Sequence, residues 1–304
     1  MTPNPPSRVP PTDRWKHYAL YKRVTDAIYS IPIYFSTETN ISGIMVADIF
    51  TLNTALSATI EDQVVSTLNR MREIWDPDNK YPQYSFIRRS QSFPDVVFAS
   101  NTPSDKEKII MGIELKGWYI LAKEGEPSFR YAVTPSACSP QDLVVVVPWV
   151  LSNVVTGSPK IYRPYVELAK YAAEYRNHHW KYERVTASSK EIISPAGVTP
   201  YPAPKTESSD KPVSDKGGNF GRFARTGIMD DYIKELLEES LLGIEARNWL
   251  TFIKIFAEQK SKEDIEKELE SLKRKIPQTS PENEAAVEDI NAIIRTVERY
   301  IDTL

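Results

Sequence analysis

The chain has 304 residues, of which 41% are hydrophobic, so it can form one large domain or a core with an accessory region. Its single cysteine, Cys138, excludes an intramolecular disulfide and a cysteine-based zinc cluster, and we interpret it as a small buried side chain. The net charge of −3 argues against a protein that binds polyanions through bulk charge, although this sum would hide a local basic cleft.

Neither a membrane span nor a signal peptide is predicted. No apolar run approaches the ~20 residues that a spanning helix needs, and residues 1–12 are proline-rich and polar. We therefore expect a cytoplasmic protein without a membrane partner.

The N-terminal part of the chain predicts mostly helix. Residues 13–29 have helical apolar spacing, whereas residues 31–35 are β-branched and aromatic, which favours a strand. Residues 51–75 predict the longest helix, since their apolar side chains recur at intervals of three and four and form one buried stripe. Glu61 lies on or beside that stripe, and residues 76–79 predict the turn that ends the helix.

Two apolar runs, residues 93–98 and 109–121, predict a pair of β-strands joined by a polar loop. The second run contains Glu114 and Lys116, which project to one side because residues two apart in a strand share a face. Asp95 lies near the start of the first run. Antiparallel pairing of the two strands would therefore bring its carboxylate beside that of Glu114.

Two carboxylates beside an ammonium group suit a divalent cation such as Mg²⁺, which takes oxygen ligands and keeps positions open for water and phosphate oxygens. Lys116 would then orient or help to deprotonate an attacking water and offset phosphate charge. The alternative is an ordinary ion pair between Glu114 and Lys116 on a half-exposed strand. The apolar residues on both sides of the pair disfavour a solvated face.

Further elements follow the second strand. Residues 129–133 predict a returning strand, and residues 143–147 form a β-branched apolar run, ended by a proline, that suits the centre of a sheet. Residues 162–182 predict an aromatic-rich helix. On this helix the adjacent His178 and His179 would point about 100° apart, so they cannot hold one metal together.

The C-terminal half changes character twice. Residues 185–218 are rich in Ser, Pro, Lys and Thr and have little periodicity, which indicates either a linker or a functional loop. Residues 230–259 predict an amphipathic helical region broken at Gly243, and residues 262–276 and 285–304 predict a helical hairpin. Such a hairpin serves as core cover, as a subunit contact or as a short coiled coil.

The pair Pro94-Asp95, followed nineteen positions later (114 minus 95) by Glu114-Leu115-Lys116, resembles the signature of the PD-(D/E)XK nuclease superfamily. The wider segment around this motif resembles a type II restriction endonuclease. The resemblance implies that Asp95 and Glu114 bind Mg²⁺, that the backbone carbonyl of Leu115 is a further ligand, and that Lys116 is the catalytic lysine.

The resemblance also implies an α/β fold with a restriction-endonuclease-like mixed central sheet, flanked by helices and followed by a C-terminal helical region. Residues 1–184 would form the nuclease core with N-terminal helices, residues 185–218 a long loop or linker, and residues 219–304 a helical region for DNA contact or dimerisation. Many enzymes of this superfamily add a helix carboxylate to the metal shell. Glu61 is the candidate for this additional carboxylate. The alternative, that Glu61 is an ordinary charge on the helix surface, has equal weight.

The implied activity is Mg²⁺-dependent, site-specific hydrolysis of phosphodiester bonds in double-stranded DNA by a homodimer, with a cognate DNA methyltransferase as functional partner. Polar side chains of the types that bind phosphate or read bases are candidate DNA contacts, with solvated loop charge as the competing interpretation. These candidates are Arg88, Arg89, Gln91, Asn219, Arg222 and Arg225, together with Arg176 and Asn177. Two other functions stay open: a repair or structure-selective nuclease of the same superfamily, and a non-catalytic helical interaction protein.

Overall fold

The computed structural model describes residues 3–42, 52–89, 91–101, 108–185, 189–201, 205–217, 219–257, 261–277 and 283–302. Within these ranges, the centre of the fold is a mixed β-sheet of six strands. The strands are β1 (Tyr84–Arg88), β2 (Val96–Ser100), β3 (Ile109–Tyr119), β4 (Leu143–Leu151), β5 (Pro159–Ile161) and β6 (Tyr165–Leu168).

Helices surround the sheet and continue to the C-terminus. They are α1 (Tyr18–Tyr34), α2 (Leu52–Arg70), α3 (Arg72–Trp75), α4 (Ala169–His178), α5 (Asp230–Leu237), α6 (Ala246–Ala257), α7 (Lys262–Lys273) and α8 (Glu284–Ile301). Two small antiparallel ladders pair β7 (Ile192–Ile193) with β8 (Lys211–Pro212) and β9 (Ser240–Leu241) with β10 (Ile244–Glu245). The chain is therefore a mixed α/β protein, which agrees with the predicted fold class.

The sheet combines antiparallel and parallel pairing. Strands β1, β2 and β3 are antiparallel neighbours, β3 and β4 run parallel, and β4 also pairs with the antiparallel strands β5 and β6. All nine residues of β4 are buried, which confirms the prediction of a central strand. The prediction that Pro148 ends it is wrong, because the strand continues to Leu151 and pairs there with β5.

Helix α2 packs on β1 and β3, and α4 packs on β4 and β6. The buried stripe predicted for residues 51–75 is present, since Ile60, Val64 and Leu68 are all at most 2% exposed. The single helix predicted over that range is divided into α2 and α3, because Met71 departs from helical backbone angles with ψ of 21°.

Two N-terminal predictions are wrong in detail. The first helix begins at Tyr18 rather than at residue 13, and residues 31–34 belong to it rather than to a strand. Ile31 is fully buried and continues the apolar stripe of Val24 and Ile28, so packing of the helix outweighs the strand propensity of this segment.

Residues 129–133 do not form the predicted returning strand. Arg130 and Val133 make only isolated bridges, to Arg222 and Ser209 respectively. The backbone of this segment therefore pairs with distant parts of the chain rather than with the sheet, which local periodicity does not reveal.

The helix predicted over residues 162–182 begins later than expected. Residues 165–168 form β6, α4 begins at Ala169, and a π-helical turn (His179–Glu183) continues it. Strand β1 carried no prediction, since its five residues are too mixed in polarity to show an alternating pattern.

The C-terminal predictions hold better. Gly243 breaks the helical region as predicted, because its φ of 81° lies in the left-handed region and the turn between β9 and β10 is built there. Helices α7 and α8 pack against each other through buried apolar side chains, which confirms the predicted hairpin. No helix in the described ranges is long and apolar enough to cross a membrane.

The described parts of residues 185–218 are attached to the core. Asp210 forms an ion pair with Arg176 of α4, and the Tyr201 hydroxyl donates to Asp142, which directly precedes β4. These contacts tie the segment to the core at two points, and its role as a linker or a functional loop stays a prediction.

Candidate metal centre

The candidate centre lies where the antiparallel strands β2 and β3 stop pairing. The last paired residues at this end are Val96 and Ile113, so Asp95 and Glu114 follow directly in register. The Asp95 amide lies 3.3 Å from Glu114 Oε2 and donates a hydrogen bond to it. The structure thus places the two carboxyl groups side by side, as the predicted antiparallel pairing requires.

Lys116 lies on the same face of β3 as Glu114 and contacts both carboxylates. Its Nζ is 3.1 Å from Glu114 Oε1 and forms a second, shorter ion pair with Asp95 Oδ2. Burial opposes the charged form of this lysine, but Glu114 and Asp95 outweigh it and raise the pKa of Lys116 above its usual value. The geometric part of the sequence prediction is confirmed: the three side chains converge.

The centre has a buried end and a solvent-facing end. The Glu114 side chain is 1% exposed, whereas those of Lys116 and Asp95 are 16% and 20% exposed. A buried carboxylate needs partners, and Glu114 has the Lys116 ammonium and the Asp95 amide. The side of the centre that is open to solvent is therefore that of Asp95 and Lys116.

Glu61 of α2 borders the same centre. Its Oε1 accepts a hydrogen bond from the Gly117 amide at 3.0 Å, and its Oε2 lies 3.1 Å from the Arg88 guanidinium. Burial raises the pKa of Glu61, while Gly117, Lys116 and Arg88 act in the opposite direction. The Glu61 side chain is 16% exposed, and its role as a metal ligand or as a charge on the helix surface stays a prediction.

Gly117 permits this close approach of α2 to β3. A Cβ atom at position 117 would lie 3.3 Å from the side chain of Ser57, which is tighter than ordinary packing. Helix α2 therefore covers the edge of β3 beyond the point where β2 stops pairing. The Gly117 amide at this edge has no β2 carbonyl opposite it, and it donates its hydrogen bond to the Glu61 carboxylate instead.

The donor set is compatible with Mg²⁺, which typically takes one or two protein carboxylates and keeps several waters. Asp95 and Glu114 offer carboxylates, and Leu115 between Glu114 and Lys116 offers a backbone carbonyl. In the part of the chain that the structure describes, no group of three or more His, Cys, Asp or Glu side chains is arranged to hold a metal ion. Glu61 thus stands beside this pair without forming a three-carboxylate cluster with it.

The candidate DNA contacts near the centre differ in their surroundings. Arg88 bonds to α2 through Ala58 and Glu61, so its guanidinium is already engaged. The backbone amide of Arg89 donates to the Asp95 carbonyl at 2.7 Å. The Nη1 atom of the Arg89 side chain is buried and has no hydrogen-bond partner among the described residues. Gln91 is exposed and has a left-handed backbone with φ of 57°.

The other candidate contacts lie in residues 219–225. The Asn219 side chain donates to the Gly217 carbonyl, and Arg225 forms an ion pair with Glu126 at 2.6 Å. Arg222 has a buried Nη1 without a partner in the described ranges. DNA binding by these residues stays a prediction.

Arg176 is wrong as a DNA contact. Its side chain is 2% exposed and lies 2.6 Å from Asp210, to which Asn177 also donates. A buried and fully engaged guanidinium cannot reach a nucleic acid. Cys138 is buried as predicted, and burial raises the pKa of its thiol.

Sequence reasoning missed two partners of the centre, the Arg88 guanidinium and the Gly117 amide that bind Glu61. It also missed Asp142, a fully buried carboxylate that accepts hydrogen bonds from the Gly112 amide, the Ser139 amide and Tyr201. A charged residue directly before the central apolar run was the available signal for Asp142.

Comparisons of the chain with protein-family models, with curated proteins and with solved structures found no match. The functional assignment therefore depends on the residues and geometry described above.

Proposed function

We propose that the chain is a Mg²⁺-dependent nuclease of the type II restriction kind, which hydrolyses phosphodiester bonds in double-stranded DNA at specific sites. The observation that carries this proposal is the convergence of Asp95, Glu114 and Lys116 at the point where β2 and β3 part. The two adjacent carboxylates suit a hard metal ion, and the lysine ammonium group between them suits an anionic substrate. One end of this centre is buried and the other is open to solvent.

In this proposal each residue has a separate role. Asp95, Glu114 and the Leu115 carbonyl hold the ion, and Glu114 is fixed by its burial. When bound, Mg²⁺ supplies an activated water and a Lewis acid for the phosphate oxygens. Lys116 orients the attacking water and offsets the charge that develops on the phosphate. Arg89, whose backbone amide donates to the Asp95 carbonyl, is a proposed phosphate contact.

Cleavage of both strands at a symmetric site needs two such centres, so we propose a homodimer as the active form. A DNA methyltransferase of the same specificity would be its functional partner. The C-terminal helices α7 and α8 are the proposed location of the dimer contact or of further DNA contacts.

The test is cleavage of supercoiled plasmid in the presence of Mg²⁺ by the wild type, Glu114→Gln and Lys116→Met. We expect each substitution to lower the rate by at least about 100-fold, because each removes a charge that acts on the reacting phosphate or its ion. The matched controls are Glu270→Gln and Lys273→Met, which break an exposed ion pair of 2.9 Å on α7. These controls should cleave at the wild-type rate.

Retained cleavage in both Glu114→Gln and Lys116→Met would refute the proposal. Digestion of a plasmid of known sequence then tests specificity, since discrete fragments indicate a site-specific enzyme. A smear of products would instead favour a repair or structure-selective nuclease. A protein that binds neither DNA nor divalent cations would fit the helical interaction protein.

A further inference from the structure

Residues 3–11 lie against β6 and α4 without joining either element. None of them belongs to a helix or a strand, and turns over residues 13–17 separate them from α1. Prolines favour an extended backbone, so a segment rich in them loses little conformational freedom when it binds. We call residues 3–11 the proline segment, and its prolines are Pro3, Pro5, Pro6, Pro10 and Pro11.

A buried carboxylate of the core holds the proline segment. Glu167 of β6 has a side chain only 6% exposed, and its Oε2 lies 2.8 Å from Arg8 Nη2. The Nε atom of Arg8 donates to the same carboxylate, at 3.2 Å from Oε1 and 3.0 Å from Oε2. The guanidinium also lies over the ring of Tyr171 of α4, 4.5 Å from its centroid. A charge-assisted fork combined with a cation–π contact selects an arginine side chain.

Two further contacts follow the segment along α4. His178 Nε2 donates to the Pro3 carbonyl at 3.0 Å. Val9 lines a small cavity together with Leu168 and Tyr171. The segment is therefore attached at several points along one surface, which we call the arginine site and define by Glu167, Tyr171 and His178.

Glu167 needs a positive partner whichever chain supplies it. Apart from Arg8, its oxygens contact the Leu168 amide at 2.9 Å and the Tyr165 hydroxyl at 3.5 Å, and neither of these groups is charged. A largely buried carboxylate without a counter-charge is unfavourable, and it repels an anionic ligand such as nucleic acid. Arg8 is 57% exposed, so the guanidinium reaches Glu167 from the solvent side and can be exchanged there.

We propose that the arginine site binds an extended, proline-rich peptide segment that carries an arginine, and that a second copy of this chain is the partner that supplies it. Every copy carries a segment of the fitting sequence, and the contacts seen within one chain can form unchanged between two. The chain's own segment competes for the site, since its effective concentration there is on the order of millimolar. No residue of the arginine site belongs to the proposed metal centre, so the inference does not depend on nuclease activity.

The test begins with the full-length Arg8→Ala variant, whose arginine site lacks its own arginine. A fluorescent peptide of residues 3–12 is titrated with this variant, and binding is followed by fluorescence anisotropy. We expect saturable binding of one peptide per chain. A peptide with Arg8→Ala should bind at least about tenfold more weakly, and one with Arg8→Lys should have intermediate affinity, because lysine keeps the charge but loses the fork. These peptides probe the contact without a further change in the protein.

A second pair of variants tests the protein side of the contact. Adding Glu167→Gln to Arg8→Ala should weaken peptide binding by at least about tenfold, because the charged acceptor is lost. The matched control adds Glu174→Gln instead, which changes another acidic residue at the same cavity. This control should bind the peptide as Arg8→Ala does. Circular dichroism confirms that each variant is folded.

Competition tests whether a second copy is the partner. The full-length Glu167→Gln variant keeps Arg8 but cannot hold it, so it should displace the fluorescent peptide from Arg8→Ala. The wild type should displace it at least about tenfold less effectively, because its proline segment is already bound within its own chain. The variant with both substitutions should not displace it. The readout reports only the occupancy of the arginine site, so other contacts between copies do not affect it.

Three results would overturn the inference. Absence of peptide binding to Arg8→Ala would leave Arg8 as an anchor within one chain only. Equal binding of the wild-type and Arg8→Ala peptides, or unchanged binding after Glu167→Gln, would show that the site does not recognise an arginine. Peptide binding without displacement by full-length Glu167→Gln would exclude a second copy as the partner. The proposed nuclease function is tested separately by plasmid cleavage.

Discussion

Replacing Asp210 with alanine should leave a buried guanidinium without its counter-charge. Arg176 is 2% exposed, and its Nη2 lies 2.6 Å from Asp210 Oδ2. Its Nη1 donates to the backbone carbonyls of Tyr131 and Val133 at 2.7 and 2.9 Å. The substitution removes the carboxylate and also the acceptor of the Asn177 side chain, while the two carbonyl contacts remain.

The separation of the two charges sets the scale of the loss. At 2.6 Å and an effective dielectric constant of ~20, the attraction between them is ~6 kcal/mol. The remaining carbonyl contacts and local relaxation compensate part of it, so we expect a loss of about 3–5 kcal/mol in the free energy of unfolding. That is a large share of the roughly 5–15 kcal/mol that stabilises an ordinary domain.

Urea denaturation followed by circular dichroism measures this loss. The matched control is Asp215→Ala, at a position five residues after Asp210. It breaks an ion pair of 3.2 Å with the exposed Arg130 and should lower the free energy of unfolding by less than about 1 kcal/mol. Combining Asp210→Leu with Arg176→Met should recover much of the stability, since no unpaired charge stays buried. A loss below about 1 kcal/mol in Asp210→Ala would refute the burial of this pair.

Three other predictions concern the surroundings of the centre. Gly112→Ala would place a Cβ atom 2.2 Å from Pro94, so we expect a loss of about 1–3 kcal/mol in a thermal melt and weaker Ca²⁺ binding by calorimetry. Burial raises the pKa of Asp142 from 3.8 to about 7, so its contribution to stability is full below about pH 4 and is lost as pH rises through 7. Urea denaturation at pH 4.5 and 7.5 should show the wild type losing up to ~3 kcal/mol relative to Asp142→Asn over this interval; equal curves would contradict it. Lys116→Met removes a positive charge 3.1 Å from Glu114, so Ca²⁺ should bind more tightly although cleavage is lost.

The local geometry of the centre was predictable because it depends on strand periodicity. Glu114 and Lys116 share a face of β3 since side chains alternate along a strand. The same rule predicts the position of the Asp95 side chain once β2 pairs antiparallel with β3. The observed register of the two strands places Asp95 opposite Glu114. The chemical role of these residues stays a proposal that the cleavage and Ca²⁺ experiments test.

Segments whose partners are distant in sequence were not predictable in the same way. Strand propensity suggested a strand at residues 31–35, where the packed face of α1 decides the conformation instead. Residues 129–133 have the composition of a strand but pair only through single bridges to Ser209 and Arg222. In both cases the deciding contacts lie outside the window that a local pattern can cover.

By itself, the amino-acid sequence determined the mixed α/β class, the fully buried strand β4, the convergence of Glu114 with Lys116 and the C-terminal helical hairpin, because alternation and helical spacing are local properties of the chain. Only the tertiary structure decided which charges are partners. Arg88 binds Glu61 and Arg176 binds Asp210 across 27 and 34 positions, and such pairs exist only where packing brings distant segments together. Packing also excludes water from the second pair, whose arginine is 2% exposed.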